Sequence, residues 1–114
     1  MNAPADSRFE TATRPETFAS FEEFYPWYLE EHSNRTNRRL HVVGTGLAIA
    51  TTAYALTTGR LSALLLAPVL GYGFAWVGHF VFEKNKPATF KHPLYSLRGD
   101  FRMFADVVTG KIPW

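Results

Sequence analysis

Charged side chains stop at Arg39 and resume at Lys84, with only Arg60 and Glu83 between them. The interval divides into two uncharged runs, residues 42–59 and 61–82, and His79 is the strongly polar group inside the second. A helix needs about 20 mostly apolar residues to cross a hydrocarbon core, within a range of about 17 to 25. The second run meets that requirement comfortably. The first, rich in Thr and Gly, meets it narrowly. The connection Thr57-Thr58-Gly59-Arg60 is tight, so the pattern predicts two antiparallel helices in a membrane hairpin. Gly44 and Ala48, Gly46 and Ala50, and Ala67, Gly71 and Ala75 repeat small side chains at one-turn spacing. Such stripes let backbones approach closely in a bilayer. Pro68 predicts a kink in the second helix.

The flanks carry a different period. Ser20-Phe21-Glu22-Glu23 reads as a capping box, with Ser20 as N-cap and Glu23 three positions on. Phe18, Phe21, Phe24, Tyr25, Tyr28, Leu29 and His32 then share one helical face, although Pro26 interrupts the pattern. Pro87 and Pro93 make residues 84–93 a loop. Beyond it Leu97, Phe101, Phe104 and Val108 recur at helical spacing, with Ser96 ahead of them and Gly110 as the stop. The expected fold is all-α: a membrane-embedded helical hairpin flanked by amphipathic interfacial helices, with helices near residues 18–33, 39–57, 61–84 and 96–109. Residues 1–15 read as a disordered leader without an apolar signal segment. Residues 16–110 read as a single helical membrane domain and 111–114 as a tail.

Composition adds exclusions. A chain of 114 residues holds one core. Its 12 Lys and Arg against 10 Asp and Glu are too balanced for a nucleic-acid binder, which carries a clustered basic face. With no Cys there is no disulfide, no thiol nucleophile and no thiolate-bound metal. The mean hydropathy of −0.12 suggests a soluble protein only because it averages an apolar hairpin with two polar flanks. Arg35, Arg38 and Arg39 precede the hairpin and Lys84, Lys86 and Lys91 follow it, while the connection holds Arg60 alone. The positive-inside rule then makes this an integral membrane protein with both termini cytoplasmic.

The four histidines fall at one end of that topology. His41 starts the first long helix and His79 lies near the end of the second, so antiparallel packing puts them at one depth. His32 precedes His41 across a short polar segment, and His92 lies in the loop after the hairpin. The spacing His79-x-x-x-Glu83 adds a carboxylate one helical turn away. Imidazoles with a carboxylate are a ligand set for non-haem Fe(II) and also suit zinc. Asn37, Asp100 or a backbone carbonyl would take the proton on each ring's other nitrogen. Two readings compete: a haem held axially by His41 and His79, and a non-enzymatic membrane scaffold or lipid-binding module with structural histidines.

The string from His32 through Asn37, Arg38 and His41 to Thr45, followed by Gly78-His79-Phe80-Val-Phe-Glu83-Lys-Asn85-Lys-Pro87-Ala88-Thr89, resembles the small membrane family that includes the fungal 2-hydroxy fatty acid dioxygenase. The likeness covers about residues 18 to 108 and is carried by the two motifs together. It implies an Fe(II)-dependent α-oxidation that shortens a 2-hydroxy fatty acid by one carbon at the membrane interface. It also implies that His32, His41, His79 and His92 bind the iron, with Glu83 as a further ligand or partner. Arg38 or Lys86 would hold the substrate carboxylate. The chain is shorter than the fungal enzyme, with one hairpin, and belongs with short bacterial members of an inner membrane. Its expected partners are membrane lipid and a fatty-acid-like substrate. A homodimer through the small-residue faces would supply a second hairpin.

Overall fold

The computed structural model describes residues 18–114, and the leader expected at residues 1–15 lies outside them. Among the described residues the chain is helical with no strand. Helix α1 (Phe21–Glu30) leads through a bend into the long α2 (Arg35–Thr58). After the turn at Gly59 the chain returns as a tight 3-10 segment (Leu61–Leu65), helix α3 (Leu66–Val77) and a wide π segment (Gly78–Glu83). A short 3-10 turn (Ala88–Phe90) precedes the last helix, α4 (Pro93–Val108).

Local chemistry sets these boundaries. Ser20 caps α1, its Oγ accepting from Glu23 N at 3.2 Å, while Glu23 Oε1 accepts from Ala19 N at 3.2 Å. Asn34 caps α2 by accepting from Asn37 N at 3.0 Å, so this helix starts at Arg35, ahead of the position near 39 expected from hydropathy. Gly59 ends α2 with φ 76°, a left-handed conformation that costs glycine little. Pro93 opens α4 in its first turn, where no donor is needed. The second apolar run is not one continuous α-helix. Pro68 falls in the first turn of α3, just after the 3-10 segment. The pitch changes before Pro68 and again at Gly78.

The hairpin packs α2 on α3 through its small residues. A Cβ on Gly44 would lie 2.8 Å from Phe74 Cβ and 3.2 Å from the Gly71 carbonyl, so the helices touch backbone to side chain there. The core proper lies outside the hairpin. Phe21, Phe24, Tyr25 and Tyr28 of α1 pack with Ala88 and Met103. Gly99 gives Tyr28 its place, since a Cβ there would come within 3.0 Å of the ring. Tyr25 Oη donates to Asp106 Oδ2 at 2.8 Å, and Arg102 Nε meets the same oxygen at 3.2 Å.

Most of the hairpin faces outward. Only 17% of the most apolar stretch of Leu61–Glu83 is buried, whereas the core helix of a soluble bundle is mostly buried. Leu56, Leu65, Val69, Trp76 and Val81 are all exposed. Exposed apolar side chains in such number are the kind of surface that marks a membrane or partner face. Two helices are thus long and apolar enough to cross a membrane. On α4, Leu94, Leu97, Phe101 and Val108 are exposed while Ser96, Gly99, Met103 and Asp106 are buried, as in an amphipathic helix.

The helix contact can be tested with two glycines. Gly44→Ala drives a methyl into Phe74, whereas Gly73 has nothing within 4 Å of its would-be Cβ. Thermal unfolding in detergent should show a lower midpoint for Gly44→Ala and an unchanged or higher one for Gly73→Ala.

Candidate metal centre

Three elements bring three histidines together. His32 sits in the bend after α1, His41 in the second turn of α2, and His79 in the π segment. His32, His41 and His79 are 1%, 4% and 1% exposed. His32 Nε2 lies 3.0 Å from His41 Nε2 and 3.1 Å from His79 Nε2. The rings stand at 89°, 75° and 88° to one another, edge to face.

The other ring nitrogens decide where the protons are. His32 Nδ1 is 2.6 Å from the Tyr28 carbonyl, and His41 Nδ1 is 3.1 Å from the Asn37 carbonyl. A carbonyl only accepts, so both Nδ1 atoms donate. His79 Nδ1 is 2.6 Å from Asn85 Oδ1. The Asn85 amide is oriented by its own nitrogen, which donates to the Glu31 carbonyl at 3.1 Å and to Glu31 Oε1 at 3.2 Å. All three rings therefore carry the proton on Nδ1 and aim bare Nε2 lone pairs at one another. Burial first, and then His41 and His79, hold the His32 pKa well below the usual histidine range. Protons are disfavoured in the cluster, and lone pairs in contact repel.

A divalent cation fits this donor set. The three ligand nitrogens lie within 4.8 Å of one another. Two nitrogens about 2.1 Å from one ion are about 3.0 Å apart at a right angle and about 3.4 Å apart in a tetrahedron. The two shorter separations here, 3.0 and 3.1 Å, are those of nitrogens that could share one such ion. A porphyrin does not fit, because the His41 and His79 rings are 4.7 Å apart centroid to centroid and His32 Nε2 contacts both, which leaves no gap for a macrocycle between them.

The remaining candidates are placed as follows. Glu83 does not face the cluster. Its Oε1 accepts from Asn34 N and Asn37 Nδ2, both at 2.9 Å, and its Oε2 accepts from Ser33 Oγ at 2.9 Å. The expectation of one shared face with His79 assumed α pitch, and the wider π turn rotates the carboxylate away. Glu83 instead clamps the start of α2 and fixes Asn37, whose carbonyl orients His41. Asn37 Oδ1 is buried without a donor and lies against Gly78, where any Cβ would collide with it. His92 does not join the other histidines. It caps α4, and its ring packs on Phe18, Phe24 and Trp27 at 5.1, 5.6 and 5.6 Å. The convergence expected of four is a convergence of three. Arg38 donates to the His32 carbonyl at 3.4 Å and to the Pro113 carbonyl at 3.3 Å, and Lys86 is exposed on the loop. Asp100 orients no histidine; it accepts from Tyr28 Oη, and the Tyr28 ring stacks on His32 at 4.0 Å. Asn85 was not singled out by sequence. Its one signal is its place just past the break in the second apolar run, after Lys84, whose φ of 61° turns the chain back.

A groove of about 610 Å³ starts at this centre. His41, Ala48, Thr52 and Leu56 of α2 line it, facing Ala67, Gly71 and Ala75 across the hairpin. Leu97, Asp100 and Phe101 of α4 close its histidine end. Burial pushes the Asp100 carboxyl up to about 7, against the bond from Tyr28.

A family model described as 2-hydroxy-palmitic acid dioxygenase Mpo1-like matches residues 18–112. No curated protein and no solved structure matches the chain. The chain belongs to the Mpo1-like family.

Equilibrium dialysis with Co(II) or Zn(II) should load the wild type with one ion per chain. Alanine at His32, His41 or His79 should abolish loading, His92→Ala should retain it, and Asn85→Ala should weaken affinity by about 10–100-fold. Asp100 predicts a pH effect. Between its ordinary value of 3.8 and a folded value of about 7, the native chain holds a proton that the unfolded chain has lost. Stability therefore falls as pH rises through that window. Asp100→Asn keeps an acceptor for Tyr28 and removes the fall. Its melting midpoint should exceed the wild type's above about pH 7 and approach it near about pH 4.

Proposed function

We propose that this Mpo1-like chain is a non-haem Fe(II) dioxygenase that shortens 2-hydroxy fatty acids by one carbon at the membrane interface. The observation that carries the reading is the convergence of three buried, Nδ1-protonated imidazoles at the head of an apolar groove. His32, His41 and His79 would hold the iron, which supplies O₂ activation and a Lewis acid for the hydroxy-carboxylate head. The electron count suits the parts present. A 2-hydroxy acid and O₂ give the acid one carbon shorter, CO₂ and water. C2 and C1 together lose the four electrons that O₂ takes up, so no external reductant is needed.

The chain's own residues have separable tasks in this scheme. The Tyr28 and Asn37 carbonyls and Asn85 Oδ1 keep the three rings neutral and aimed. The α1–α4 core covers the centre from the aqueous side and excludes water through Tyr28, which is fully buried. Asp100, beside His41 in the groove, is the acidic group nearest to where a hydroxyl would enter. Basic residues flank the histidine end of the hairpin, which favours a cytoplasmic interface and cytoplasmic termini in a bacterial inner membrane. A fatty acid presents its head group at that depth.

Purified protein with Fe(II) and 2-hydroxypalmitate under air should release pentadecanoate and consume one O₂ per acid. His41→Ala and His79→Ala should lose this activity while retaining their helical spectrum. Turnover that persists in both variants, or none in an iron-loaded wild type, would remove the proposal.

A further inference from the structure

The groove has a direction. Its histidine end holds His41 and Asp100, and its other end holds Ala53, Leu56, Ala67 and Pro68 at the hairpin turn. From His41 to Leu56 α2 advances by about 22 Å at roughly 1.5 Å per residue. That exceeds the depth of one leaflet, about half of a ~30 Å hydrocarbon core. The wall between the ends is mostly apolar, with Thr45, Thr52 and Tyr72 bringing its hydroxyls. Thr52 Oγ1 already donates to the Ala48 carbonyl at 2.8 Å. A peptide backbone laid there would find fewer partners than it has polar groups, whereas an alkyl chain needs none. The volume of about 610 Å³ is that of a small-ligand site. Its floor is made of small residues. Ala48 faces Gly71, whose would-be Cβ lies 3.8 Å from Ala48 Cβ. The space towards α3 admits about one methyl group, so a ring as large as phenyl at position 48 must turn into the groove.

Resting on the dioxygenase reading above, we propose that the groove is a steric ruler for the alkyl tail. The carboxyl end lies at His41, the methyl end points to Leu56, and the small side chains at Ala48 and Ala53 set the longest tail accepted. These two positions stand about 10 Å and about 18 Å along α2 from His41. Filling them shortens the ruler by different amounts, with no change to any residue that orients a histidine.

The test is a product profile with 2-hydroxy acids of octanoate, dodecanoate, hexadecanoate and octadecanoate length. Ala48→Phe should keep turnover of the octanoate and lose kcat/KM for the hexadecanoate by at least about tenfold relative to it. Ala53→Trp should keep the dodecanoate and lose the octadecanoate. Turnover of the shortest acid reports that fold and metal site are intact. Should Ala48→Phe be inactive at every length, Ala53→Trp, at an exposed position, decides. An unchanged profile in Ala53→Trp, or an equal loss at all lengths, overturns the ruler. A second measurement does not depend on turnover. 2-Hydroxyhexadecanoate with a photoreactive group at its methyl end should crosslink near Leu56 and Pro68, and crosslinks elsewhere overturn the proposal. Crosslinks at those residues without turnover at any length leave the groove standing and overturn the dioxygenase reading.

Discussion

Three neutral imidazoles with their bare nitrogens about 3 Å apart are an arrangement that a protein does not reach by accident. Each lone pair repels the next, and burial denies them the water or the proton that would relieve it. The surrounding chain holds the rings in place against this repulsion. Two backbone carbonyls and one amide oxygen hold the Nδ1 protons, and the amide is itself held by Glu31. Glu83 receives three donors from residues 33–37 and so joins the bend, α2 and the π segment at one carboxylate. A cation at the centre would convert the repulsion into attraction and so link its binding to the stability of this end of the fold.

The aromatic core extends this logic. α1 and α4 pack through Phe21, Phe24, Tyr25, Tyr28 and Met103, and Tyr28 presents its ring to His32 and its hydroxyl to Asp100. One side chain thus touches the core, the metal centre and the residue at the head of the groove. The hairpin has less internal packing, and its outward surface is apolar enough to suit lipid. Packing is therefore concentrated at the histidine end.

Much of this was legible in the sequence, for identifiable reasons. A bilayer imposes a length on apolar runs, so the hairpin follows from counting charges. Antiparallel packing then puts His41 and His79 at one depth whatever the details. The bend that brings in His32 is announced by the polar residues between Glu30 and Arg35. What stayed hidden was local pitch. Nothing in Gly78-His79-Phe80-Val81-Phe82-Glu83 distinguishes a π turn from an α turn, and that difference decides whether Glu83 faces the histidines or Asn37. His92 was misplaced for a similar reason. Pro93 begins α4 at once, so His92 becomes a helix cap and its ring follows the axis of α4 into the aromatic cluster. Asn85 escaped notice because its role depends on the left-handed turn at Lys84, a conformation that sequence seldom announces for lysine.

The groove opens to the outside of the hairpin, with exposed Leu97 and Phe101 at its margin. With the hairpin in a bilayer, a ligand entering such a groove from the side would exchange with the leaflet and never dissolve in water. Its effective concentration is then a mole fraction in the membrane. Adding inert lipid dilutes such a ligand as surely as adding buffer dilutes a soluble one, so occupancy is governed by the composition of the bilayer.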